Sequence, residues 1–323
     1  METLVNLATD FVLRTLLAHR QRAAALPSAA PVRPLMVAFN GPQGSGKTTV
    51  CRQLCARLGA APYHVPTVTV SLDDFYLTYD EQERRYHTSG YASLDGEASG
   101  RSGSLNPLLR YRGEPGTHDL ALGTQTLTAL RDINEGGGQL VRVPCYDKAL
   151  RGGRGDRCPP EQWPIITPPV QVVLFEGWMV GFRALSDAEL DNVYHRSVVG
   201  TLLRRYTLGQ LREINQHLRN LEAAWYPLLD CFVGIDTPDI GVVYQWRLQQ
   251  EHALARSRPD RTVLSDAEIR DFVDRYMPAY TLYLPRLARE GLRTSTEAAG
   301  LPCPLNLVVT IDVNRQVTAS AQF

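Results

Sequence analysis

No segment of the 323-residue chain strings together the ~18 apolar residues that a helix needs to cross a bilayer, which excludes a helical membrane span. Net charge is missing as well: 34 Lys and Arg face 34 Asp and Glu, with no block of one sign, so no long-range field draws in a polyanion or a charged surface. A small molecule is therefore the expected partner, and nucleic acid and membrane are not. Cys51, Cys55, Cys145, Cys158, Cys231 and Cys303 make no C-x-x-C pair and no Cys/His set with zinc-ligand spacing. That excludes a zinc module and fits reduced thiols in a cytoplasmic protein. No repeat recurs at a period of about 20 to 50 residues, which excludes a solenoid.

What is present is alternation. Short apolar runs at 35–39, 67–72, 139–143, 170–175, 231–235 and 305–313 are mostly separated by stretches long enough for helices. This predicts an α/β fold on a doubly wound parallel sheet. The run Val172-Val173-Leu174-Phe175 is apolar throughout, as a strand covered on both faces must be, and is expected at the centre. Ahead of the sheet, residues 1–34 read as an N-terminal helix and linker, with Leu4, Leu7, Ala8 and Phe11 on one helical face, and 35–323 as one domain. Within it 186–230 has a helical pattern and is expected as an insertion, while 86–104 and 149–169 read as long loops. Ser265 to Glu268 has the form of a capping box, and Pro278 is expected to end the helix it starts.

Between the first run and the next helical stretch stand Gly41, Pro42, Gln43, Gly44, Ser45, Gly46, Lys47, Thr48 and Thr49. The first eight are a complete G-x-x-x-x-G-K-[ST] phosphate loop. Glycines let the backbone wrap a triphosphate so that successive N–H groups and a helix N-terminus face its charge. Lys47 would reach the β- and γ-phosphates and Thr48 would ligate Mg²⁺, so ATP and magnesium are the expected cofactors. No guanine-reading N-K-x-D tract and no D-x-x-G tract occur, which disfavours GTP.

Two of the runs end in acids, Asp73-Asp74 and Glu176. In a parallel sheet all strand C-termini open onto one crevice, so these carboxylates converge on the phosphate loop and are candidates for magnesium ligation and general-base work. One of the adjacent Asp pair can instead serve as a helix N-cap. Asp119 reads as the cap of a following helix, and His118 as a residue at a loop rim that a polar substrate can meet. Lys148, Arg151, Arg154 and Arg157 lie in a glycine-rich tract and can clamp an anion or simply be solvated. Arg247, early in a helix near 242, is the candidate for an arginine that closes over the triphosphate.

The tracts GPQGSGKTT (41–49), SLDDFYLT (71–78), RGEPGTHDL (112–120), VPCYDKALRGGRGDR (143–157), LFEGWMVGF (174–182), YQWRLQQEH (244–252) and FVDRYMPAYTLYLPRL (272–287) resemble the D-glycerate 3-kinase group of P-loop kinases, plant and fungal. That group is similar to uridine kinase, phosphoribulokinase and pantothenate kinase. The resemblance implies a P-loop kinase fold with a helical insertion and a lid, and ATP-dependent phosphorylation of a metabolite hydroxyl, with D-glycerate the first candidate. It implies that Asp73 acts as base, Glu176 organises magnesium, Tyr146 and Asp147 shape the substrate site, and Arg247 meets the phosphates. The stretch 90–104 looks longer than in the family, and no plant-type transit peptide is evident. The alternatives are an ATP-binding regulatory relative that turns over no metabolite, or a kinase for a nucleoside, a pantothenate-like compound or a sugar.

Overall fold

The computed structural model describes residues 1–25, 31–90, 105–135, 139–257, 264–292 and 304–323. Its central sheet contains β1 (Leu35–Asn40), β2 (Thr67–Ser71), β3 (Val172–Gly177), β4 (Cys231–Asp236), β5 (Asn306–Ile311) and β6 (Val317–Gln322). They lie in the order β6-β5-β4-β1-β3-β2, parallel except for β6, which returns antiparallel to β5. Around them run α1 (Glu2–Ala24), α2 (Lys47–Gly59), α3 (Tyr79–Thr88), α4 (Leu120–Arg131), α5 (Asp187–Arg196), α6 (Leu208–Trp225), α7 (Val242–Ser257), α8 (Asp266–Asp274) and α9 (Met277–Glu290).

Why the central strands are apolar at every position follows from the alternation of side chains along a strand. Leu35, Val37 and Phe39 of β1 enter one core with Val172 and Leu174, Leu54 of α2, and Leu4, Phe11 and Leu16 of α1. Met36 and Ala38 enter the opposite core with Val173 and Phe175, Leu127 of α4, Leu218 and Trp225 of α6, and Tyr283 of α9. Each large side chain buried this way contributes about 1.5–3 kcal/mol, so β1 and β3, wholly buried, anchor both layers. The expected N-terminal helix is docked on the first of these cores, and α5 and α6 fill most of 186–230.

Four expectations change. Val141–Arg142 is a strand but not one of the central sheet: it pairs antiparallel with Ile165–Ile166, and Leu140 and Arg142 are exposed, so only alternate residues turn inward. The run 305–313 ends at Ile311 and leads through a turn into the unforeseen β6, whose pattern is largely exposed. Pro278 does not end the capped helix: α8 stops at Asp274 and Pro278 lies in the first turn of α9, where a missing N–H costs nothing. Of the loop expected at 86–104, residues 86–88 belong to α3 and 91–104 lie outside the described residues.

Candidate active site

The register of the sheet assembles the site. Phe39 and Ser71 both pair with Glu176, and Asn40 pairs with Gly177, so β1, β2 and β3 end level with one another. The phosphate loop, the Asp73 turn and Glu176 therefore emerge side by side. Asn40 locks the junction: its buried amide donates to the Trp178 and Val180 carbonyls at 3.0 and 2.8 Å.

In the phosphate loop Gly44 and Gly46 adopt φ of 78° and 91°, left-handed conformations in which a side chain would be strained. At Gly44 an added Cβ would also sit 2.5 Å from Trp246 Cβ, so α7 packs directly on the loop. Two further supports come from distant sequence. Tyr280 of α9 accepts the Gln43 N–H at 3.0 Å, and Arg315, in the β5–β6 turn, donates to the Gly44 carbonyl at 2.9 Å while lying over the Trp246 ring. Thr48 opens α2 in the second position, and its hydroxyl donates to Glu176 at 3.1 Å. The hydroxyl and the carboxylate expected to share magnesium are thus in contact, whereas Asp73 is occupied elsewhere.

Asp73 and Asp74 follow Ser71, whose hydroxyl caps the Leu72–Phe75 turn by accepting the Asp73 N–H. Asp73 accepts a charge-assisted bond from Lys148. Burial would raise the Asp73 carboxyl, but the Lys148 ammonium, Lys47 and the Tyr76 hydroxyl outweigh it and hold the group down at about 2. Asp73 is therefore an anion throughout the physiological range. Asp74 points away, toward the Tyr146 N–H at 3.4 Å, and burial raises its carboxyl to about 6. The neighbours divide the work: one faces the crevice, the other holds the Tyr146 strand.

Across from Asp73 stands a row of aromatic rings. Tyr76 lies 4.5 Å from the His118 ring and 5.3 Å from Tyr146, measured between centroids. His118 is buried, not at an open rim, because Tyr76 and His118 form a β-bridge that draws the 112–120 tract onto the Asp73 turn. Neither of its nitrogens has a partner among the described residues, and burial lowers its pKa to about 4 despite the nearby Asp73, so the ring is neutral. Asp119 does cap α4, accepting from the Leu122 N–H at 3.0 Å.

Other anticipated residues are used differently from expectation. Arg157 donates to the Tyr76 carbonyl and to Asp119 at 2.9 and 3.0 Å, tying to α4 the short hairpin in which Tyr146–Asp147 pairs with Asp156–Arg157. Asp147 is exposed and accepts the Ala149 N–H, closing its own turn. Arg151 pairs with Asp156, and Arg154 with Glu83. Arg247 is not at the phosphate loop: it stacks 4.9 Å over Phe272 of α8 and pairs with Glu251 along α7, since the helix turns Trp246 to the loop instead. Tyr76, Arg112, Tyr276, Tyr280 and Arg315 were not singled out by the sequence. For Tyr76 the signal was available, as it closes the Asp-Asp-Phe-Tyr tract; for Arg315 nothing local marked it.

A phosphate loop after the first strand of a parallel sheet, with a carboxylate bonded to its threonine from the neighbouring strand, defines the chain as a P-loop kinase. No family model matches the sequence. Its relatives include the chloroplastic D-glycerate 3-kinase of Arabidopsis thaliana, 38% identical over 260 residues, which are 80% of this chain and 50% of that protein. The kinase mug58 of Schizosaccharomyces pombe is 36% identical over 80% of this chain and 84% of its own length. Among solved structures, a D-glycerate 3-kinase from Cryptococcus neoformans superposes with a TM-score of 0.82 at 34% identity, covering 99% of both chains. The chain belongs to the D-glycerate 3-kinase family of P-loop kinases. It spans about half the length of the plant relative.

Proposed function

We propose that the protein transfers the γ-phosphate of ATP to a hydroxyl of a small acid, with the 3-hydroxyl of D-glycerate as the acceptor. The observation that carries this reading is the convergence of two distinct half-sites in one crevice. On one side, Thr48 bonded to Glu176 continues the phosphate loop; on the other, ionised Asp73 faces a pocket edge of Tyr76, Tyr146 and Lys148. Relatives named D-glycerate 3-kinase support the choice of acid.

Thr48 and Glu176 would hold magnesium. Among the described residues no cluster of three His, Cys, Asp or Glu could cage a metal, and two protein oxygens completed by phosphate and water are what magnesium ordinarily accepts. The ion supplies charge neutralisation to the transferring phosphoryl group. Lys47 adds a cation at the γ-phosphate, and the left-handed glycines turn backbone N–H groups toward it. Asp73 receives and orients the acceptor hydroxyl. A carboxylate held at about 2 by Lys148 is a weak base, so its proton affinity rises when Lys148 leaves it for incoming anionic charge. Substrate arrival and base activation are coupled through that one ammonium. Tyr146 and His118 line the acceptor side, and Arg247 would reach the phosphates only after α7 turns it from Phe272.

The test is ADP release measured with D-glycerate against uridine, pantothenate, a sugar and no acceptor. D-glycerate should stimulate turnover, and D73N should lower kcat by about 100-fold or more while nucleotide binding persists. No stimulation by D-glycerate removes the substrate assignment; hydrolysis without any acceptor would favour a regulatory ATPase.

A further inference from the structure

The four cations of the 146–157 tract, beside Asp73, all have acidic partners. Lys148 is with Asp73, Arg151 with Asp156, Arg154 with Glu83 and Arg157 with Asp119. Arg112 is different. Among the described residues no carboxylate pairs with it, although it is partly buried, and its bonds run to the Gly153 carbonyl at 3.1 Å, to the Arg154 carbonyl and to the Tyr146 hydroxyl. Two carbonyl dipoles orient a guanidinium without cancelling its charge.

The surroundings are built around this side chain. Its guanidinium carbon lies 5.8 Å from the centre of the Tyr146 ring. Tyr146 stands edge-on to Tyr76, and the Tyr76 hydroxyl bonds Asp73, so a continuous aromatic row leads from Arg112 to the carboxylate that receives the acceptor hydroxyl. Gly155, at φ 79°, leaves the necessary room: a Cβ there would lie 2.5 Å from Tyr146 Cε1 and 3.0 Å from Arg112 Nη1. Gly113, at φ 143°, does the same on the other flank, where a Cβ would meet the Tyr276 hydroxyl at 2.4 Å. Tyr276 in turn donates to the Arg112 carbonyl at 3.3 Å, fixing the backbone that bears the guanidinium.

We infer that Arg112 is the anchor for the substrate's carboxylate, which makes the acceptor a small hydroxy acid whose charged end lies at Arg112 and whose reacting hydroxyl lies at Asp73. A planar fork with an unbalanced charge suits a carboxylate better than a lysine does. The inference rests on the acid reading of the proposed function, and the two fail separately.

Kinase assays would compare wild type, R112M and R112K at saturating ATP, using D-glycerate and its neutral amide. R112M should raise KM for D-glycerate about 100-fold with little change in kcat, as expected for one lost charge-assisted contact. KM for ATP should be unaltered, the loss on the amide should be much smaller than on the acid because only the acid forfeits a charge-assisted contact, and R112K should fall between. A lower kcat at unchanged KM would place Arg112 on the phosphates and overturn the assignment; equal losses on acid and amide would make it structural and also overturn it. If R112M fails to fold by circular dichroism, R112K decides alone, since an unchanged KM for the acid overturns the anchor. If wild type does not phosphorylate D-glycerate, the substrate reading falls. Calorimetric binding of D-glycerate and other short hydroxy acids, with a non-hydrolysable ATP analogue present, then tests Arg112: tighter binding by wild type than by R112K supports it, and equal or undetectable binding overturns it.

Discussion

At the scale of single residues, the site is governed by how two adjacent carboxylates are separated. Asp73 and Asp74 are neighbours in sequence, yet the 72–75 turn sends one to Lys148 and the other to the Tyr146 backbone. Their carboxyls diverge to about 2 and about 6 as a result. For Asp74 the cause is burial, which favours the protonated form. A carboxyl raised on folding stabilises fully below its unfolded value of 3.8 and loses that contribution as pH climbs through about 6. D74N keeps an oxygen for the Tyr146 N–H and cannot ionise. Its Tm relative to wild type should therefore rise between pH 4 and about 7 and level off above, measured in thermal melts across that range. Parallel profiles for the two proteins would show that ionisation of Asp74 does not burden the fold.

Among the elements, α1 is the least obvious contributor to a kinase site. It lies on the same core as β1, α2 and α7, with Phe11 only 1% exposed. That core supports the phosphate loop from beneath, because α2 begins at Lys47 and Trp246 packs on Gly44. F11A should cost about 3–5 kcal/mol, the usual range for emptying a buried phenylalanine site, and urea titration would measure it. A loss below about 1 kcal/mol would mean the helix is peripheral. The turn between β5 and β6 is the other outlying support, reaching the Gly44 carbonyl through Arg315.

For the whole molecule, both cores share β1 and β3, so the layers should unfold together. ATP with magnesium present at about 100 times its Kd should then move a single melting transition upward, by a free energy of about 2.7 kcal/mol. K47A should lose most of that shift. Two transitions, only one of them responsive to nucleotide, would contradict the shared sheet. Among the described residues no helix is long and apolar enough to cross a membrane.

The nucleotide half of the site was legible in the chain because its parts are contiguous: glycines, lysine and threonine must occur at set intervals for a backbone to cradle phosphate, and apolar runs ending in acids announce strands that open on the same crevice. That acids at strand ends share the loop's crevice also followed from the parallel pattern; the order of the strands was decided by their pairing in the sheet. The acceptor half was decided by tertiary contacts. His118 is buried because of a bridge to Tyr76, Arg157 is spent on Asp119, and Arg247 is turned to Phe272. Cys145 and Cys158, unremarkable at their spacing, bring their sulfurs 3.2 Å apart only because a two-residue ladder aligns them. Arg112 stands out only once the partners of every neighbouring cation are known. Local spacing determines what a backbone loop can bind; which charges remain uncompensated is set by packing between segments distant in sequence, and that balance separates a residue facing substrate from one that holds the fold.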